Sequence, residues 1–126
     1  MDGEQLELFK TDNSLRMLLT KQREFGCQFT DFGNLTEVEM QVRLLDFISC
    51  TIEELVEMRI EFPYRKHWSS KRLDMPDWSK VKEELIDVLH FVLTMFLILG
   101  MDENEICGLY LLKNRVNIIR QEEGTK

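Results

Sequence analysis

Two groups of carboxylates carry the chemistry this sequence could do. Glu53, Glu54 and Glu57 form an EExxE run, Glu84 and Asp87 form ExxD, and 26 residues separate Glu57 from Glu84. Residues three apart on a helix share a face, so Glu54 pairs with Glu57 and Glu84 with Asp87. Each pair sits among apolar residues: Ile52, Leu55 and Val56 around the first, Leu85, Ile86 and Leu89 around the second. Two antiparallel helices joined by a short connection would bring the pairs face to face. Four carboxylates that close repel one another unless something positive sits among them. Hard divalent cations are the natural partner, and Mg²⁺, which keeps waters and takes only one or two carboxylates plus phosphate oxygens, suits a nucleotide site. A solvated acidic face is the ordinary reading of one such pair; two pairs on successive helices favour the metal. Asp87 and His90 also form a DxxH pair like half of a di-iron site, but that chemistry needs two acid/His pairs on separate helices. The second of the two histidines, His67, falls in an expected loop.

Groups that a nucleotide would need surround the acids. Lys66-His67-Trp68 offers phosphate donors and an aromatic plate, with Lys71 and Arg72 following. Further on, Tyr110, Lys113, Asn114, Asn117 and Arg120 recur at intervals of three and four and form one polar, basic stripe.

The elements that must position these groups read as helices throughout, because apolar residues recur at helical rather than alternating spacing. A first helix is expected over about Gln5 to Phe29, with Leu8, Leu15, Leu18, Leu19 and Phe25 inward and Gly26 as an end or an irregularity. The Thr30 to Asn34 run is a loop. Thr36 with Glu39 is a capping box, so a second helix should run from Glu37 to about Phe62, ended by Pro63. Its buried stripe would be Val38, Val42, Leu45, Ile48, Ile52, Leu55 and Val56. Pro76 suits the first turn of a third helix that reaches Leu99 and buries Trp78, Val81, Leu85, Leu89, Val92, Leu93 and Phe96. Gly100 stops it. Asp102 and Glu105 open a fourth helix to about Gln121, with Ile106, Leu109, Leu112, Val116 and Ile119 inward. A four-to-five-helix bundle, all-α, is the simplest way to hide these stripes.

At 126 residues and 15.1 kDa the chain fits a single domain over residues 1–126. Its longest apolar stretch, Phe91 to Leu99, is interrupted by Thr94 and is far below the ~20 residues of a membrane span. The acidic start lacks the basic region of a secretory signal, so a cytoplasmic location is expected. The three cysteines, Cys27, Cys50 and Cys107, show no CxxC spacing and read as small buried hydrophobes. A net charge of -7 disfavours a nucleic acid polymer or an anionic membrane as partner. Seven Met and eight Phe exceed what one bundle would bury, which points to a homodimer, with a tetramer as the alternative.

EExxE, 26 residues, then ExxD resembles the signature of the all-α nucleoside triphosphate pyrophosphohydrolases, which include the MazG-like proteins and the dimeric dUTPases. The second group is the closer match, through Leu18 to Phe25, Lys66-His67-Trp68, Glu84 to Phe91, and the run from Tyr110 to Gln121. This resemblance implies hydrolysis of a deoxynucleoside triphosphate, dUTP in the first instance, to the monophosphate and pyrophosphate. It implies two or more Mg²⁺ ions per site, with Mn²⁺ able to substitute, on Glu54, Glu57, Glu84 and Asp87. Glu57, with Glu54, would be catalytic, and Glu53 secondary. Gln22, Trp68, His90 and Asn117 match base and sugar positions; Lys66, Lys113 and Arg120 match phosphate contacts. Gly26 stands where relatives often carry Asp. The alternatives are dCTP or a non-standard nucleotide as substrate, or a non-catalytic helical interaction module.

Overall fold

The computed structural model describes residues 14–124. Four α-helices occur among them: α1 (Ser14–Gly26), α2 (Glu37–Ile60), α3 (Trp78–Ile98) and α4 (Glu103–Glu122), with a short 3₁₀ turn at Pro63–Arg65. No strand occurs among the described residues, so the chain is all-α as its periodicity predicts.

Local chemistry sets the helix boundaries. At α2 the Thr36 hydroxyl accepts from the Glu39 backbone N–H at 3.1 Å, and Glu39 Oε1 accepts from the Thr36 N–H at 3.4 Å, the reciprocal capping pattern expected. Asp102 caps α4 by accepting from the Glu105 N–H at 2.9 Å. Gly100 follows α3 with φ +68°, a left-handed conformation that glycine adopts without a Cβ penalty.

One expected boundary is settled and two shift. The first helix ends at Gly26, the earlier of its two expected ends, and its expected start lies outside the described residues. The second ends at Ile60 because Pro63 opens the 3₁₀ turn. Pro76 lies before α3 rather than in its first turn, because the Asp77 carboxylate accepts from the Lys80 N–H at 3.2 Å and makes Asp77 the cap.

The central helix is α3, with α2 along one side and α1 along another. Phe62 meets Trp78, Glu61 pairs with Lys80, and Phe47 meets Phe91. Partner numbers fall on α2 as they rise on α3, so the two helices are antiparallel. Leu19, Leu93 and Leu97 form the core, with Leu15, Phe32, Phe96 and Ile106 packed around them. Helix α4 leaves α3 at a bend of 108°. Its start is held to α1 by Arg16 Nε on Glu103 Oε1 at 2.8 Å. Beyond that, every residue from Cys107 to Gly124 except Val116 is exposed.

The expected stripes therefore do not all face inward. The half-buried residues of α2 include Met40, Leu44, Phe47, Thr51, Glu54 and Met58, a run at alternating spacings of four and three that turns toward α3 and continues to Glu61 at the cap; Arg43 and Cys50 flank it. The more apolar stripe lies around the helix from it: Val38, Val42, Leu45, Ile48, Ile52, Leu55 and Val56 are all exposed in the single chain. The same correction applies to Trp78, Leu85 and Leu89 on α3, and to Leu109, Leu112 and Ile119 on α4. None of the cysteines is buried: Cys27 and Cys107 are exposed and Cys50 is half-buried. Among the described residues no single helix is long and apolar enough to cross a membrane.

Candidate functional site

Glu54 owes its position to the register of α2. It falls on the face that packs against α3, where Glu84 stands on the opposing helix and is only 8% exposed. One turn further along α3 comes Asp87, and one oxygen from each of Glu54, Glu84 and Asp87 lies within 4.8 Å of the other two.

No ion pair reaches this cluster among the described residues. Glu54 Oε2 is buried and accepts no hydrogen bond. The carboxyl is pushed up from 4.5 to about 7, first by the hydrogen bond it shares with Glu84, next by burial, and then by the charges of Glu57, Glu84 and Asp87. Two facing carboxyls can share such a bond only if one carries a proton. Lys80, the cation one turn before Glu84, is engaged elsewhere, with its Nζ 3.3 Å from Glu61 Oε1. An orphaned, buried oxygen among acids on two helices fits a hard divalent cation, which would supply the missing charge. Glu57 is exposed and stands outside the trio, near enough for its charge to raise Glu54.

Beside the acids lies a cavity of about 500 Å³, lined by residues of α1, α2 and α3 and of the loop after α1. Asp87 belongs to both the cluster and the cavity wall. Leu18, Lys21, Gln22, Phe25 and Gly26 line it from α1; Phe29, Thr30 and Phe32 come from the following loop, Phe47 from α2, and His90, Phe91, Leu93 and Thr94 from α3. Five of the eight phenylalanines thus wall one space. Phe32 closes over Gly26, where a Cβ would come within 2.8 Å of Phe32 Cζ and 3.0 Å of Cε2. The Arg23 guanidinium, three residues before Gly26 on α1, lies over the Phe32 ring at 5.8 Å from its centre.

Of the nucleotide-contact residues expected from sequence, Gln22 and His90 line this cavity. Lys66, Trp68, Lys113, Asn117 and Arg120 do not. Trp68 is 72% exposed, stacked edge-on against His67 in the connection before α3, and the last three stand on the projecting α4. Sequence reasoning missed the wall of Phe29, Phe32, Phe47 and Phe91, and also Lys21, Thr30 and Thr94. One signal was legible: Thr94 is a hydroxyl inside the longest apolar run, and its Oγ1 makes hydrogen bonds to Gln22 and to the His90 carbonyl.

Comparison with known proteins agrees with this architecture. The family model described as dUTPase matches residues 14–99. A dCTP pyrophosphatase of Enterobacteria phage T4 is 49% identical over 57 residues, 43% of this chain and 33% of the relative. A dCTP pyrophosphatase of Enterobacteria phage LZ5 is 43% identical over 68 residues, 49% of this chain and 40% of the relative. A DNA replication protein of phage T4 is 50% identical over 48 residues, 36% of this chain and 12% of the relative. The chain thus spans well under half the length of these curated relatives, and no solved structure matches it. With an all-helical fold, acids of EExxE and ExxD meeting across α2 and α3, and a family match over more than half its length, the chain belongs to the all-α dUTPase family of nucleoside triphosphate pyrophosphohydrolases.

Proposed function

We propose that the chain hydrolyses a pyrimidine deoxynucleoside triphosphate to the monophosphate and pyrophosphate. The observation that carries this reading is the orphaned Glu54 Oε2, buried among acids at the edge of an apolar cavity large enough to admit a nucleotide base. The family match favours dUTP, and the names of the phage relatives favour dCTP.

Glu54, Glu84 and Asp87, with Glu57 beside them, would hold divalent cations, two or more Mg²⁺ per site with Mn²⁺ able to substitute. Such ions neutralise phosphate charge and make water a stronger nucleophile. Glu57 is exposed next to the cluster, free to take a proton from the attacking water. Oxygen bonds to phosphorus, the anhydride bond breaks, and pyrophosphate departs with the electron pair. The base enters the phenylalanine-walled cavity, where Gln22 and His90 supply polar groups for its edge. Lys21 at the cavity wall offers a cation toward the phosphates.

Lys66, Lys113 and Arg120 for phosphate, and Trp68 and Asn117 for base and sugar, fit the reading if a second chain brings them in. The exposed apolar stripe of α2 and the projecting α4 support a homodimer, with a tetramer as the alternative. The test is a panel of dNTPs and NTPs assayed for pyrophosphate with and without Mg²⁺. Release from dUTP or dCTP that requires the ion is expected; no release from any nucleotide refutes the proposal.

A further inference from the structure

Gln22 and Thr94 are 72 residues apart in sequence and meet in the cavity wall, Gln22 Nε2 donating to Thr94 Oγ1 at 2.9 Å. Thr94 is itself buried at 7% exposure, and its hydroxyl donates to the His90 carbonyl one helical turn back, also at 2.9 Å. A hydroxyl has one proton. With that proton committed to the carbonyl, which can only accept, Thr94 can only accept from Gln22. The amide is therefore oriented by chemistry as well as by fit: its nitrogen must face Thr94, one of its two N–H groups is committed there, and the carbonyl oxygen is the end turned away.

We infer that Thr94 is a positioning residue that sets the orientation of Gln22, so that Oε1 is the amide end turned away from Thr94 and accepts from an N–H donor of the base held in the cavity. This rests on the proposal that a pyrimidine enters the cavity. Uracil meets the requirement with N3–H and cytosine with its exocyclic amino group. Without Thr94 the amide can turn over, and an acceptor on the ligand serves as well as a donor. The Thr94 hydroxyl thereby fixes which end of a two-ended side chain lies against it, in surroundings where an unmatched polar group is costly.

The experiment measures binding of the α,β-imido analogues of dUTP and dCTP in Mg²⁺ by calorimetry. The one that binds more tightly is then compared with its N-methylated form: N3-methyl for uracil, N4,N4-dimethyl for cytosine. Wild type should bind the methylated form at least about tenfold more weakly, the size of one lost hydrogen bond that leaves a buried acceptor unmatched. Thr94→Val should reduce that discrimination to within about threefold, and Thr94→Ser, which keeps the hydroxyl, should restore it. A second readout is nucleotide-free: one Gln22 side-chain amide proton should be protected from exchange in wild type and Thr94→Ser, and unprotected in Thr94→Val. Equal binding of parent and methylated analogues to wild type, full discrimination by Thr94→Val, or unchanged amide protection in that variant each overturns the inference while the hydrolase reading stands. If neither parent nucleotide binds, both readings fall.

Discussion

Replacing Glu54 with glutamine keeps the side chain's shape and removes the charge that the acidic cluster tolerates least. Its amide can donate to Glu84 where two ionised carboxylates could only repel. A carboxyl moved from 4.5 to about 7 corresponds to a ceiling of roughly 3 kcal/mol. Partial exposure and the proton shared with Glu84 reduce this to about 1–2 kcal/mol, or roughly 5–10 °C in Tm for a domain of this size. Between pH 4.5 and about 7 the folded chain holds a proton that the unfolded chain has released, so stability falls as pH rises through that window. Below it both states are protonated; above it both are ionised and the penalty is complete. In chelator, Glu54→Gln should therefore match wild type near pH 4.5 and melt roughly 5–10 °C above it at pH 8. Added Mg²⁺ should reverse the order, since an ion at a hundred times its Kd stabilises the wild type by about 2.7 kcal/mol and the variant far less. Thermal melts across pH, with and without Mg²⁺, make the measurement. A variant that melts below wild type at pH 8 in chelator, or a gap that ignores pH, would refute the reasoning.

Glu57→Ala and Asp87→Ala should each lower pyrophosphate release by more than about a hundredfold with the helical circular dichroism unchanged, and retention of a tenth of the wild-type rate in either removes its assigned role. Gly26→Ala places a Cβ 2.8 Å from Phe32 Cζ, so the ring must shift; stability should fall by about 1–3 kcal/mol in denaturant titration, with weaker nucleotide binding. Gly100→Ala, at φ +68°, should cost about 1 kcal/mol in the same titration without altering nucleotide affinity. Ile52→Glu on the exposed stripe of α2 should shift the sedimentation coefficient to that of a single chain, and an unchanged value would show that the stripe is not the interface.

Much of this architecture is legible without coordinates because it is decided within one or two turns of chain. Thr36 with Glu39, Asp102 with Glu105, and Gly100 mark helix ends through hydrogen bonds and dihedral preferences that span at most four residues. The three-residue spacing of Glu54 with Glu57 and of Glu84 with Asp87 is equally local, so the acids could be named as a candidate cluster from the chain alone, and three of the four do converge. Which acid turns inward depends on how α2 is rotated against α3. Hydrophobic patterning points to the Val38 to Val56 stripe as the packed face, yet the helix turns Phe47, Thr51 and Glu54 to α3 and leaves the stripe outside. A stripe is written for every surface it covers, including those on another chain, so its presence does not say which partner it meets. The cavity lies further still from local rules, since its phenylalanines come from α1, a loop, α2 and α3, and the bond between Gln22 and Thr94 joins positions 72 residues apart. Short-range hydrogen bonding and helical periodicity wrote the elements and the acids into the sequence; the burial of Glu54 Oε2, the walls of the cavity and the bond that holds one amide exist only once three helices have packed.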